Sequence, residues 1–154
     1  MAGLDWGTMT LNTAAVGKEW PGVTYQVGRE KVKEYATVLG LDNPVHFDLT
    51  AARDAGFRDV VAPPMFAVVY CGPALGPALF DPEVEMNFAA MVHGSQEFVW
   101  GEPACSGDEI TTTARCVSIE EKGGMGFYVF ETVSTNQDGA EVVRGTWTNI
   151  VRGV

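Results

Sequence analysis

The sequence predicts an α+β fold in which an antiparallel β-sheet wraps around a central apolar helix. Three observations predict it. The last third of the chain holds four β-rich runs, glycine turns separate them, and one short segment, Pro64 to Cys71, is apolar on every side. A sheet that follows such a helix buries one face by curving around it. At 154 residues the chain is expected to form one domain, residues 1–154, with 1–22 as an irregular N-terminal segment.

Pattern begins near Val23, where Val23 to Val27 reads as a short strand ending at Gly28. A helix follows in which Val32, Tyr35, Ala36 and Leu39 recur at helical spacing and form one apolar face. Gly40 stops it, and Leu41 to Phe47 reads as a loop centred on Asn43-Pro44. Asp48 reads as the N-cap of a short helix over Thr50 to Ala55, closed by Gly56. Pro64 suits a first helical turn, and Gly72-Pro73 is expected to end the apolar segment it opens. Ala74 to Phe88 is assigned no regular structure. The strands are Met91 to Trp100, Glu109 to Glu120, Phe127 to Asn136 and Val142 to Arg152. Gly123-Gly124 and Asp138-Gly139 are hairpin signals that make at least three of these strands an antiparallel meander.

A formal net charge of -10, from 20 acidic against 10 basic side chains, repels phosphate backbones and anionic membranes. Nucleic acid and membrane are therefore not expected as partners. No window approaches the ~18 apolar residues of a membrane span, and Met1 to Gly17 carries no Lys or Arg, unlike a leader peptide. Cys71, Cys105 and Cys116 are odd in number and lack metal-ligand or CxxC spacing. They read as reduced, buried thiols in a cytoplasm. With no GxGxxG or Walker pattern, no nucleotide cofactor and no metal is expected.

The stretch Tyr35-Ala-x3-Gly40-x2-Asn43-Pro44-Val45-His46-x-Asp48-x2-Ala51-x4-Gly56-Phe57, followed by Val61-Ala62-Pro63-Pro64-Met65-Phe66, resembles the hydratase motif of MaoC-like dehydratases. A second stretch, Val92-His93-Gly94-Ser95-Gln96-Glu97-Phe98 with Pro103 and Gly107-Asp108, is similar to the family's following strand and turn. The resemblance spans about residues 23 to 152 and implies a hotdog fold. It also implies reversible syn addition of water to an enoyl thioester of coenzyme A or acyl carrier protein. In that family an Asp and, five residues later, a His hold the water and exchange protons with it. A backbone N–H of the central helix meets the thioester oxygen. General acid–base help contributes roughly 10²–10⁴-fold, and the oxyanion donor a comparable or larger factor.

Carried over position by position, the motif's His falls on His46, but its Asp falls on Leu41, with Asp42 one residue later. The family's His-Gly falls on Pro63-Pro64, and proline has no N–H to donate. The candidate catalytic residues are thus His46 for proton transfer and Asp42 as its helper. Asn43, Pro64, Met65 and Phe66 are the candidate substrate-binding residues.

With two parts altered, the chain resembles the N-terminal or partner half of double-hotdog (R)-specific hydratases, where the other half carries the complete dyad. The resemblance implies an acyl-binding subunit of a heteromeric 3-hydroxyacyl thioester dehydratase, a homodimer alone and a heterodimer with a catalytic hotdog subunit. The alternatives are a self-sufficient (R)-enoyl-CoA hydratase using His46 and Asp42, and a hotdog thioesterase. The last is disfavoured because the segment Met65 to Tyr70 holds no carboxylate or Gln, Asp59 being the nearest carboxylate before it.

Plainer readings stand beside these. His46 is also explained as a turn histidine bonded to backbone, and His93 as a backbone or interface partner. Asp48 is explained as a cap, Asp108 as a turn residue, and Trp6, Trp20, Trp100 and Trp147 as packing or interface residues.

Overall fold

The computed structural model describes residues 10–154; Trp6 lies outside the described residues. Strand β1 (Glu19–Gln26) leads into α1 (Arg29–Val38), α2 (Leu49–Asp54) and the central helix α3 (Ala67–Leu79). Strands β2 (Met91–Trp100), β3 (Glu109–Lys122), β4 (Met125–Thr135) and β5 (Glu141–Arg152) complete the chain. The five strands form one antiparallel sheet in the order β1-β3-β4-β5-β2, so β1 and β2 are its edges. Helix α3 lies against β1, β3 and β4. This is the hotdog arrangement.

Alternation builds the inner face of the sheet. On β4, Gly126, Tyr128, Phe130, Thr132 and Ser134 are buried; on β5, Val143, Gly145, Trp147, Asn149 and Val151. On β3 the buried series Ile110, Thr112, Ala114, Cys116 resumes at Ile119, because a register irregularity between Cys116 and Ser118 inserts one residue. Gly123 and Gly124 join β3 to β4 with φ of 63° and 73°, the two positive values that a tight hairpin turn requires. All three cysteines are buried and unpaired, and burial pushes each thiol up from its ordinary range.

Three expectations need correction. The strand expected from Val23 begins at Glu19, inside the segment expected to be irregular, and crosses an irregularity between Trp20 and Val23 that breaks its alternation. Trp20 is buried there, edge-on to Phe130 at 6.1 Å, with its Nε1–H donating to Asp81 at 2.7 Å.

Helix α3 does not stop at Gly72-Pro73 but runs to Leu79 through Pro73 and Pro77, so the first part of Ala74 to Phe88 is helical. Both prolines are exposed, while Tyr70, Cys71, Ala74, Leu75 and Ala78 are buried, so the lost backbone bonds fall on the solvent side. Each proline also follows a glycine, Gly72 or Gly76, whose missing Cβ removes part of the clash that normally bars helix before proline.

Asp108 is more than a turn residue. It is 1% exposed, and its carboxylate accepts from Arg58, from the Cys105 N–H at 2.8 Å and from Gln137 at 3.3 Å. No helix among the described residues is long and apolar enough to cross a membrane.

Candidate functional site

The residues that position the site lie between α1 and α3. The Asn43 side chain accepts from the Val45 N–H at 3.2 Å and caps a single 3₁₀ turn, Pro44–His46, within the expected loop. Asp48 caps α2 by accepting from the Ala51 N–H at 2.7 Å. Backbone bonds fasten this turn to the next strand-like segment, Val61 N–H donating to the Val45 carbonyl at 3.0 Å. That segment is tied in turn to the β2–β3 connection, by Ala62 N–H to the Ala104 carbonyl and Ser106 N–H to the Val60 carbonyl, both 2.8 Å.

A cavity of about 470 Å³ opens between these segments, the start of α3 and the beginning of β5. Its walls are mostly apolar: Val45, Phe57, Val61 and Ala62, then Phe66 just before α3 and Tyr70 on it, and Trp100, Ala104 and Val142. His46 lines it, half-buried, with Nδ1 2.8 Å from the Val61 carbonyl. A carbonyl only accepts, so Nδ1 carries the proton and the neutral ring keeps Nε2 as a base. The same bond fixes the ring's orientation. Glu102 is the one carboxylate among the lining residues and is exposed.

Of the other expected site residues, the structure brings Asn43, Pro64 and Phe66 to this cavity with His46. Phe66 is fully buried, with the rings of Tyr35, Tyr25 and Tyr70 at 5.3, 6.2 and 6.3 Å. Asp42 is exposed and does not line the cavity, nor does Met65, which is 47% exposed and accepts through its carbonyl from the Tyr35 hydroxyl at 2.9 Å.

At the opening turn of the central helix, Pro64 has no N–H, and the Phe66 N–H donates to the Pro63 carbonyl at 2.8 Å. The Met65 N–H is the one amide of that turn with no backbone partner among the described residues, but Met65 does not line the cavity. Phe57, Tyr70, Trp100, Glu102 and Val142 also line the site. Tyr70 and Trp100 read only as helix and packing residues in the sequence.

His93 stands on the edge strand β2, 6.0 Å from the Trp147 ring, outside this cavity. A second hollow, about 420 Å³, lies at the start of β2 beside Asn87, Met91 and Arg152. It contains no nucleophile or acid–base pair.

A family model described as FAS1-like, dehydratase domain region, matches residues 14–144. A UPF0336 protein of Clavibacter michiganensis subsp. michiganensis is 38% identical over 94% of this chain and 98% of its own length. Among solved structures, the HadBC (3R-hydroxyacyl-ACP dehydratase) complex from Mycobacterium tuberculosis superposes with a TM-score of 0.81 at 28% identity. That match covers 91% of this chain and 99% of the HadBC chain. A MaoC-like dehydratase superposes with a TM-score of 0.82 at 26% identity, over 92% of this chain and 43% of the other.

Proposed function

Because this chain belongs to the FAS1-like dehydratase-region family of MaoC-like hotdog proteins, we propose that it is the acyl-binding subunit of an (R)-specific 3-hydroxyacyl thioester dehydratase. Its ligand is the acyl thioester of coenzyme A or acyl carrier protein, and a second hotdog chain supplies the complete Asp and His pair. In this reading the chain works as one hotdog domain in the cytoplasm.

One observation carries the proposal: an apolar, acyl-sized cavity holds a histidine whose Nδ1 is bonded to a backbone carbonyl and not to a carboxylate. Asp42 lies outside that cavity, and the helix start beside it opens on two prolines. The HadBC structure, a 3R-hydroxyacyl-ACP dehydratase complex, supports the heteromeric reading by analogy.

The chemistry follows from the groups present. Hydration forms a C–O bond from water to the β-carbon of the enoyl thioester, while a proton from water is delivered to the α-carbon; dehydration reverses both. His46 Nε2 is able to take a proton from water, but the motif region supplies no carboxylate to the cavity, and Glu102, the one that lines it, is exposed, so the water lacks the family's second anchor. At the helix start the lining residues offer the enolate-like oxygen no free N–H, Pro63 and Pro64 having none and the Phe66 amide bonding the Pro63 carbonyl, whereas a preorganised donor typically contributes roughly 10²–10³-fold. Asn43, Pro64 and Phe66 bind and orient the acyl thioester, with Phe66 holding the start of its chain.

The test is to measure both binding and turnover of crotonyl-CoA on the isolated chain. Binding without appreciable hydration supports the subunit reading. Robust turnover, abolished by His46→Ala, overturns it in favour of a self-sufficient hydratase.

A further inference from the structure

Tyr70 stands one turn beyond Phe66 on α3, is only 2% exposed, and lines the cavity that His46 lines. Helical side chains lean toward the helix N-terminus, so the phenol reaches back toward Phe66 and the space beside it. Tyr35, which also packs on Phe66, donates its hydroxyl to the Met65 carbonyl at 2.9 Å. No hydrogen bond joins the Tyr70 hydroxyl to another described residue, and it is not among the fully enclosed unpartnered atoms, so its oxygen keeps open space of the cavity beside it.

Buried hydroxyls are nearly always partnered, and most of the side chains that line the cavity with Tyr70, the neighbouring Phe66 among them, supply no acceptor. Burial holds the phenol well above the usual tyrosine range, so it is a neutral O–H donor at any working pH.

We propose that Tyr70 is a specificity-determining residue whose hydroxyl donates to an oxygen on the acyl chain. The pocket then favours thioesters bearing a hydroxyl or carbonyl oxygen along the chain over plain alkyl thioesters. The inference rests on the acyl-thioester reading of the cavity. Tyr70 lies six residues past Pro64, about 9 Å along a helix that rises 1.5 Å per residue. A thioester held at the helix start therefore reaches Tyr70 with its acyl chain and not with its own carbonyl. An alkyl chain either strands the hydroxyl or expels a water that serves it, and an unpaired buried donor typically costs roughly 10-fold in affinity.

The test is calorimetry with hexanoyl-CoA, 5-oxohexanoyl-CoA and 6-hydroxyhexanoyl-CoA on the full chain and on Tyr70→Phe. The wild-type chain should bind at least one oxygenated probe about 10-fold more tightly than hexanoyl-CoA. Tyr70→Phe removes an oxygen that no protein group uses, so it should fold and bring the ratio to about one. Equal affinities in the wild type overturn the proposal, as does a preference that survives in Tyr70→Phe. The wild-type ratio alone is decisive if the variant does not fold. If the folded wild type binds none of the three probes, the acyl-thioester reading fails and the proposal with it.

Discussion

Replacing Asp108 by Ala removes the group that joins two walls of the cavity. Its carboxylate accepts from Arg58 Nε at 3.1 Å and from Arg58 Nη2, and from the Cys105 N–H at 2.8 Å. Arg58 sits three residues before Val61, and Cys105 follows Ala104; both Val61 and Ala104 line the cavity. Arg58 and the Cys105 amide contribute unequally, and the Gln137 amide at 3.3 Å is a weaker third partner. Arg58 is 45% exposed and regains water when released, so its loss costs at most about 1 kcal/mol, as for other solvent-reached pairs. The Cys105 amide belongs to a residue only 2% exposed, and an unsatisfied buried donor costs about 1–3 kcal/mol.

The sum is about 1–4 kcal/mol, which for a chain of this size lowers Tm by roughly 2–16 °C. Asp108→Asn keeps an acceptor for the amide and should cost about half as much. Urea unfolding followed by tryptophan fluorescence measures both variants, with hexanoyl-CoA affinity as a check on the cavity walls. An Ala variant within about 0.5 kcal/mol of wild type refutes the reasoning. An Asn variant as damaged as Ala moves the effect from the amide to the ion pair.

Lys18, bonded to Asp81 at 2.7 Å, together with the Glu83 N–H and the Trp20 indole, holds the Asp81 carboxyl at about 2. Depression below the ordinary carboxylate value of about 3.9 means that its stabilisation is present above pH ~4 and lost as pH falls toward 2. In Lys18→Met, an NMR titration should find Asp81 displaced upward toward the ordinary range, and an unmoved value counts against this assignment.

Leu41→Asp combined with Pro64→Gly returns a carboxylate five residues before His46 and an N–H at the helix start, and should raise crotonyl-CoA hydration measurably where neither change alone does. A folded, ligand-binding double variant with no gain means that the positional correspondence is wrong. Light scattering should find a dimer at micromolar concentration, because β2 leaves an unpaired edge beside the exposed Val99 and Trp100. A stable monomer contradicts that.

The parts of this fold that were readable from the sequence are those set by local rules. β-rich composition between glycine turns placed β2 to β5, paired glycines placed the β3–β4 turn, and Asp48 announced a cap that the structure contains. Where long-range burial overrides a local signal, reading failed. Gly72-Pro73 and Gly76-Pro77 are strong helix breakers in isolation, yet α3 absorbs both because their exposed face tolerates the missing bonds. Trp20 belongs to β1 through its contacts with Phe130 and Asp81, which lie far along the chain.

The site divides the same way. His46, Asn43, Pro64 and Phe66 sit within one motif region and converge on the cavity. Phe57 belongs to the same motif stretch, whereas Trp100, Glu102 and Val142 come from separate segments that the pairing of β2 with β5 brings together. Tyr70 had a local signal, a lone hydroxyl in an otherwise apolar helical run, but its vacant hydrogen bond is visible only in three dimensions. Spacing does not fix which side chains reach the wall: Leu41, at the motif's Asp position, and Asp42 beside it are both exposed and neither lines the cavity.

The central claim is that this chain binds the acyl group while another hotdog chain completes the catalytic pair. The most direct measurement titrates it into a hotdog subunit that carries an intact Asp-x4-His and His-Gly, and follows the crotonyl-CoA hydration rate. The account predicts a negligible rate for this chain alone and a rise that saturates at one copy per catalytic subunit. Full activity from this chain by itself, lost in His46→Ala, would contradict it.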